Sequence, residues 1–167
     1  MKYTKFLPSY IYMSKTHKRP RENKGRGTRR MFSSNSSSLS AFQKEITVVF
    51  LEMLLMVKLY HWKTTSYATH KATDELYTKI NANMDSFVEV LLGKSGVRTD
   101  LMSHKHIRLV DLSSAEALKR EIEGFKGYLV GLNDNKAMKK MSNTDLFNIR
   151  DTILGDLNQF LYLLSFK

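Results

Sequence analysis

Residues 61–90, HWKTTSYATHKATDELYTKINANMDSFVEV, carry the pattern from which the rest of the chain is interpreted. When this segment is drawn as an α-helix, with about 100° between successive residues, four ionisable side chains fall inside an arc of roughly 100°. These are His70, Asp74, Asp85 and Glu89. The pattern predicts a helix that starts at Ser66 or Tyr67 and ends at Leu92, with Gly93 as its C-cap.

Helical periodicity without any proline continues from Ser40 to the end of the chain, and no segment alternates as a strand would. The pattern predicts four long helices, separated by polar breaks that serve as caps. The predicted spans are 39–63, 66–92, 114–133 and a last helix capped by Ser142 or Asn143. Four helices of this length predict an all-α fold, a four-helix bundle formed by residues 39–167.

Composition excludes several classes of protein. The chain has 167 residues, 42% of them hydrophobic, which predicts one globular core. Because it has no cysteine, disulfides, thiolate metal sites, iron–sulfur clusters and a cysteine nucleophile are all excluded. No run of 18 apolar residues occurs, so no membrane span is predicted.

The four ionisable residues form a nitrogen and oxygen ligand set suited to iron, manganese or zinc. Along one helix the pair His70/Asp74 lies about 15 to 20 Å from the pair Asp85/Glu89, at 1.5 Å per residue. One straight helix therefore cannot close all four around one ion. Two copies in antiparallel contact can, because a two-fold axis sets the early half of one helix against the late half of the other. The spacing predicts a homodimer with two identical sites.

The same residues, with a histidine near the end of the first helix, resemble the signature of the Dps family of mini-ferritins. The interval of fifteen residues between the second histidine and the first of the late carboxylates matches that family, and the similarity covers residues 41–167, including the last helix. The motifs that carry it are His61-Trp62, His70-x-x-x-Asp74 and Asp85-x-x-x-Glu89.

The resemblance implies a ferritin-like bundle with ferroxidase activity, the oxidation of iron(II), commonly by hydrogen peroxide. It implies a non-haem mono-iron or di-iron site, two-fold dimers that build a larger, dodecameric shell for iron storage, and DNA binding through a basic tail. The ligands would be divided between subunits. One chain would supply His61, His70 and Asp74, and its neighbour Asp85 and Glu89.

The chain departs from the family pattern at three points. The interval between its two histidines is nine residues instead of the usual twelve, Val90 replaces an arginine, and the glycine-rich end of the second helix is reduced to residues 93–96. The chain also resembles an uncharacterised Dps-like group of large DNA viruses. An alternative function therefore stays open: a structural or minor virion or capsid-associated protein, with the bundle as scaffold and the tail as anchor.

Residues 1–38 form the basic tail. Ten Lys or Arg and one Glu lie between residues 1 and 40, together with both prolines and a serine-rich run. Such a composition predicts a disordered or extended segment. Flexible cations contact phosphates without sequence specificity, so we predict salt-sensitive nucleic-acid binding. The candidate residues are Lys15, Lys18, Arg19, Arg21, Lys24, Arg26, Arg29 and Arg30.

Other functions of the basic tail also stay open. A tether to neighbouring proteins of an assembly ranks equal with nucleic-acid binding. A nuclear import signal at residues 18–21 with Arg29-Arg30 ranks behind them, as does a mitochondrial transit peptide. The predicted locations are accordingly the cytoplasm, the nucleoid or nucleus, or a virion.

Overall fold

The computed structural model of the chain describes residues 38–104 and 106–166, and all regular secondary structure in these ranges is helical. In chain order the elements are α1 (Leu39–Lys63), α2 (Tyr67–Ser95), α3 (Ala115–Gly131), a 3-10 turn (Leu132–Asp134), α4 (Lys136–Lys139) and α5 (Thr144–Leu163). The prediction of an all-α fold with four long helices is confirmed. The predicted tail, including its eight candidate nucleic-acid contacts, lies outside the described residues.

Serine hydroxyls set the starts of the first three long helices. In each case the hydroxyl oxygen accepts a hydrogen bond from the backbone N–H three residues further on, at 3.1 to 3.3 Å. Such a cap satisfies one of the N–H groups that the first turn of a helix leaves without a partner. The capping residues are Ser38, Ser66 and Ser114.

The predicted end of α2 is wrong by about one turn. The helix passes through Gly93 and ends at Ser95, and Gly96 adopts the left-handed conformation with φ +67°. Its N–H donates to the carbonyl oxygen of Leu92 at 2.9 Å. A glycine inside a helix costs only about 0.5–1 kcal/mol relative to alanine, so the first glycine did not stop the helix and the second did.

The connection between α3 and α5 also differs from the prediction. The third helix was predicted to reach Asn133, but its last residues form the 3-10 turn, and α4 was not predicted at all. Helix α4 depends on the fully buried Asn135, whose Oδ1 accepts from the N–H groups of Ala137 and Met138 at 2.8 and 3.1 Å. Asn143 precedes α5 as predicted, but its amide donates to the carbonyl oxygen of Met138 instead of capping the helix.

The long helices pack around the bundle in the order α1, α2, α5, α3, with α3 returning to α1, whereas neither α2 and α3 nor α1 and α5 are in contact. A turn of three residues makes α2 antiparallel to α1. Two side-chain hydrogen bonds show that α5 is antiparallel to α2, because the partners run in opposite order. They join Lys79 to Gln159 and Asn83 to Asp156.

A long crossover, residues 96–114, joins α2 to α3, which lies diagonally across the bundle from α2. Arg108 of this crossover lies 3.9 Å from the buried carboxylate of Glu52 on α1 and 3.8 Å from Glu121 on α3. Lys63 also donates to Asp111 of the crossover at 2.6 Å. A bundle with one long crossover connection is typical of ferritin-like folds, in contrast to up-down-up-down bundles, whose loops are all short.

Helix α2 presents two contrasting faces. Its buried side packs into the core, where Phe87 meets Phe50 of α1 edge to face, with ring centroids 5.4 Å apart. Its other side, the outer face of α2, is exposed or half-buried. This face consists of Tyr67, His70, Asp74, Thr78, Asn81, Asp85 and Glu89. None of the helices described is long and apolar enough to cross a membrane.

A candidate metal-binding face on the second helix

His61 closes the last turn of α1 and is buried, with 7% of its surface exposed. Its Nδ1 lies 3.0 Å from the carbonyl oxygen of His70 and 3.3 Å from the hydroxyl of Thr73, both on α2. Because a carbonyl oxygen only accepts, Nδ1 carries the proton and donates. In the neutral ring the lone pair is therefore on Nε2, the arrangement that metal-binding histidines usually have.

His70 makes the reciprocal contact across the turn. Its Nδ1 lies 3.0 Å from the carbonyl oxygen of His61, so this ring also donates through Nδ1 and keeps Nε2 free. The two imidazoles stack with their centroids 3.9 Å apart and their planes 25° apart. We refer to these two hydrogen bonds and the stack as the histidine pair. It holds both ligand nitrogens in fixed orientations.

The stacking limits how the two histidines can bind an ion. Metal ions bind imidazole nitrogen in the plane of the ring, at about 2.1 Å for zinc. The rings of the histidine pair lie in nearly parallel planes, so their lone pairs do not converge on one point. Joint binding of one ion by both rings would therefore require one ring to turn.

Asp74 adds a carboxylate beside the histidine pair. Its Oδ1 lies 3.8 Å from Nε2 of His61, a separation at which a nitrogen and an oxygen can each approach one ion to about 2.1 Å. The carboxylate is half-exposed and reachable from outside the bundle. His61, His70 and Asp74, predicted to act together, thus meet at one end of α2 and are called the histidine half-site below.

Asp85 and Glu89, called the carboxylate half-site, lie further along the outer face of α2. Asp85 is eleven residues from Asp74, about 16 Å at the helical rise. Both side chains are exposed, and neither forms a hydrogen bond or an ion pair with the residues that the structure describes. Within residues 38–104 and 106–166, no three His, Asp or Glu side chains are close enough to hold an ion together. The five candidate ligands therefore form two separate half-sites in one chain.

Lys58 is a residue that the sequence analysis missed. Its Nζ lies 3.9 Å from Oδ1 of Asp74, 4.7 Å from the ring centre of Tyr77 and 5.8 Å from that of Trp62. The ammonium group thus stands where a metal cation would bind Asp74. Its position one turn before His61 was a signal available in the sequence, because residues three apart share a helix face.

Lys58→Gln is expected to tighten the binding of Mn²⁺ to the full-length protein by roughly tenfold. At 4 Å two unit charges interact by about 4 kcal/mol at an effective dielectric constant of 20, and exposure to solvent reduces this to a smaller net effect. Isothermal titration calorimetry measures the change. Lys71→Gln removes an exposed cation from the same region of α2 and serves as the control; equal effects of both variants would contradict a specific role for Lys58.

Glu52, a carboxylate of α1, lies outside both half-sites. It is buried under the crossover, where Oε1 accepts from the backbone N–H of Arg108 at 3.3 Å. This carboxylate holds the crossover against α1 and does not contact either half-site.

Comparison with known families gives a match over more than half of the chain. Residues 61–164 match a family described as a family of unknown function, DUF5856. The chain belongs to this family. The DUF5856 segment begins at His61 and includes all five candidate ligands and the crossover, whereas the basic tail lies before it. No curated protein and no solved structure matched the chain.

Proposed function

We propose that this DUF5856 protein is a ferritin-like protein that binds and oxidises iron(II), at sites completed between two copies of the chain. The observation that carries the proposal is the histidine half-site, in which Nε2 of His61 and Oδ1 of Asp74 lie 3.8 Å apart and both imidazoles donate through Nδ1 to backbone carbonyls. An imidazole nitrogen together with carboxylate oxygens is a ligand set that suits iron(II), and the second ring joins the same ion if it turns.

The carboxylate half-site supports a shared site. Two exposed carboxylates one turn apart repel each other and favour a bound cation, and in the described part of the chain neither of them forms an ion pair. In an antiparallel pair of α2 helices with His70 opposite Glu89, Asp74 falls opposite Asp85. Each end of the pair would then hold one histidine half-site and one carboxylate half-site.

In this proposal iron(II) is the substrate and the chain supplies ligands, orientation and charge. The neutral histidines bind without adding charge, and the carboxylates stabilise iron(III) more than iron(II) because the attraction grows with the charge of the ion. With hydrogen peroxide as oxidant, two iron(II) ions each give one electron, and the peroxide takes up two protons to form two water molecules. The bundle topology, with its single crossover, agrees with a ferritin-like protein.

The test is bound metal per chain together with the rate of iron(II) oxidation by peroxide in the purified full-length protein. Iron bound in stoichiometric amount, and oxidation faster than in buffer, are the expected results. A folded oligomer that neither binds iron nor speeds its oxidation would contradict the proposal and favour the scaffold function.

For the tail we propose contacts with nucleic-acid phosphates. Removal of residues 1–37 is expected to abolish the binding of double-stranded DNA and to leave iron oxidation unchanged, because the half-sites lie in the bundle. Binding by the full chain should fall steeply with salt, by about 10³- to 10⁵-fold between 50 and 200 mM if six to ten phosphates are contacted. Fluorescence anisotropy measures DNA binding by the truncated chain and the salt dependence of binding by the full chain. DNA binding that survives the truncation would contradict this role for the tail.

A further inference from the structure

A cavity opens on the outer face of α2 at its C-terminal end. It has a volume of about 330 Å³, roughly ten times the volume per water molecule in the liquid. Two glycines form part of its wall, and a Cβ atom added at Gly93 or Gly96 would meet no atom within 4 Å. The cavity is lined by Glu89, Leu92, Gly93, Gly96, Val97 and Arg98.

An aromatic side chain stands out from the other end of the same face. Tyr67, the first residue of α2, is 77% exposed. Its helical position lies within about 60° of His70 and Asp74 and almost on the line of Asp85. The face that carries both half-sites therefore has a projecting ring at one end and a cavity at the other.

The register of the proposed dimer brings these two features together. With His70 of one chain opposite Glu89 of its partner, Tyr67 falls opposite Leu92, one of the residues that line the cavity. The two-fold axis repeats this contact at the other end. The positions of the half-sites alone set this register, and Tyr67 is independent of them.

Charge supports the same pairing. Lys58 brings a positive charge to the N-terminal end of the outer face, whereas Asp85 and Glu89 make its later half acidic. An antiparallel arrangement places the end that carries Lys58 opposite the carboxylate half-site, although Asp74 itself falls opposite Asp85, and a parallel one would place Asp85 and Glu89 of the two chains against each other. Complementary charges of this kind fix the register of an interface.

We propose that the Tyr67 side chain of one copy is inserted into the α2 cavity of a second copy and sets the register in which the half-sites meet. This inference rests on the proposed function for its register. The occupant is a second copy of this chain. The glycine wall leaves room for the ring, and the phenol hydroxyl can donate to Glu89 or accept from Arg98 at the cavity edge.

Cross-linking tests the register. The natural chain has no cysteine, so the full-length double variant Tyr67→Cys/Gly93→Cys has only the introduced thiols. Within one chain these lie 26 residues apart, about 39 Å along the helix, so a short bis-maleimide can join them only between chains. We expect a covalent dimer on denaturing gels. The matched control, Tyr67→Cys/Ser86→Cys, moves the second thiol seven residues, about 10 Å, back along the helical line of Gly93 and should give none.

Association provides a second measurement that does not depend on introduced thiols. Tyr67→Ala removes the ring, and Gly93→Leu adds a side chain to the cavity wall at a position where a Cβ atom would meet no atom within 4 Å. Because two-fold symmetry repeats each change, we expect each variant to weaken dimerisation by tenfold or more in sedimentation velocity at increasing dilution. Circular dichroism of both variants should match that of the natural chain.

The outcomes separate this inference from the proposed function. A monomeric natural chain, unchanged association in both variants, or cross-linking in the control pair would overturn the Tyr67 contact. If iron is still oxidised in those cases, only the contact is wrong. If the expected cross-link forms in a protein that does not oxidise iron, the contact stands and the proposed function fails.

Discussion

The double variant Asp85→Ala/Glu89→Ala is expected to oxidise iron(II) more than about a hundredfold more slowly than the natural chain. Loss of residues that only support metal ligands typically costs 10- to 100-fold in metal affinity or activity, and this variant would remove two ligands at once. Stopped-flow absorbance of iron(III) at low iron concentration measures the rate. The fold should be unaffected, because both side chains are exposed and have no hydrogen-bond partner among the described residues.

Glu75→Ala is the matched control for this experiment. Glu75 is a half-exposed carboxylate on the same helix, but it faces away from the outer face and pairs with Lys79 at 2.8 Å. We expect its removal to leave the oxidation rate unchanged. Equal losses in the control and the double variant would indicate an effect of total charge, and an unchanged rate in the double variant would exclude the proposed site.

Mixing two inactive variants is expected to restore activity. Asp74→Ala lacks part of the histidine half-site, and Asp85→Ala/Glu89→Ala lacks the carboxylate half-site. After subunit exchange a mixed dimer has one site with all its ligands and one site that lacks three. If the subunits mix at random in equal amounts, about a quarter of the natural activity should return, since half the dimers are mixed and each has one of two sites intact.

Complementation distinguishes a shared site from a site within one chain. If all the ligands came from a single chain, mixing would restore nothing, because no chain in the mixture would be complete. Each variant incubated alone under the same exchange conditions gives the baseline. Mass spectrometry of an isotopically labelled partner confirms that mixed dimers have formed, so an absence of recovery in mixed dimers contradicts the shared site.

The sequence predicted those parts of the fold that depend on neighbouring residues. The starts of the first three long helices were predicted to within a residue from the polar breaks, and the serine caps found there act over only three residues. The end of α2 was not, since Gly93 and Gly96 are both acceptable stops. Helix α4 could not be predicted because it depends on Asn135, and burial of that side chain comes from tertiary packing.

The candidate site likewise has features that the sequence predicts and features that depend on tertiary packing. The distance between the half-sites follows from the rise of one helix, so it could be predicted. The contact between His61 and Asp74, and the entry of Lys58 beside Asp74, arise where α1 packs on α2. Those contacts depend on the geometry of a three-residue turn, which residue spacing does not specify. The order of helices around the bundle also depends on the crossover, whose course the sequence pattern left open.

The histidine pair has a consequence for following this family through evolution. His61 and His70 each donate to the other's backbone carbonyl, and together they fasten the start of α2 to the end of α1. Selection for a stable hairpin would retain them whether or not a descendant binds iron. Asp85 and Glu89 have no such structural task among the described residues. Replacement of these two carboxylates, with the histidines kept, would therefore identify lineages that retain the bundle without the proposed iron site.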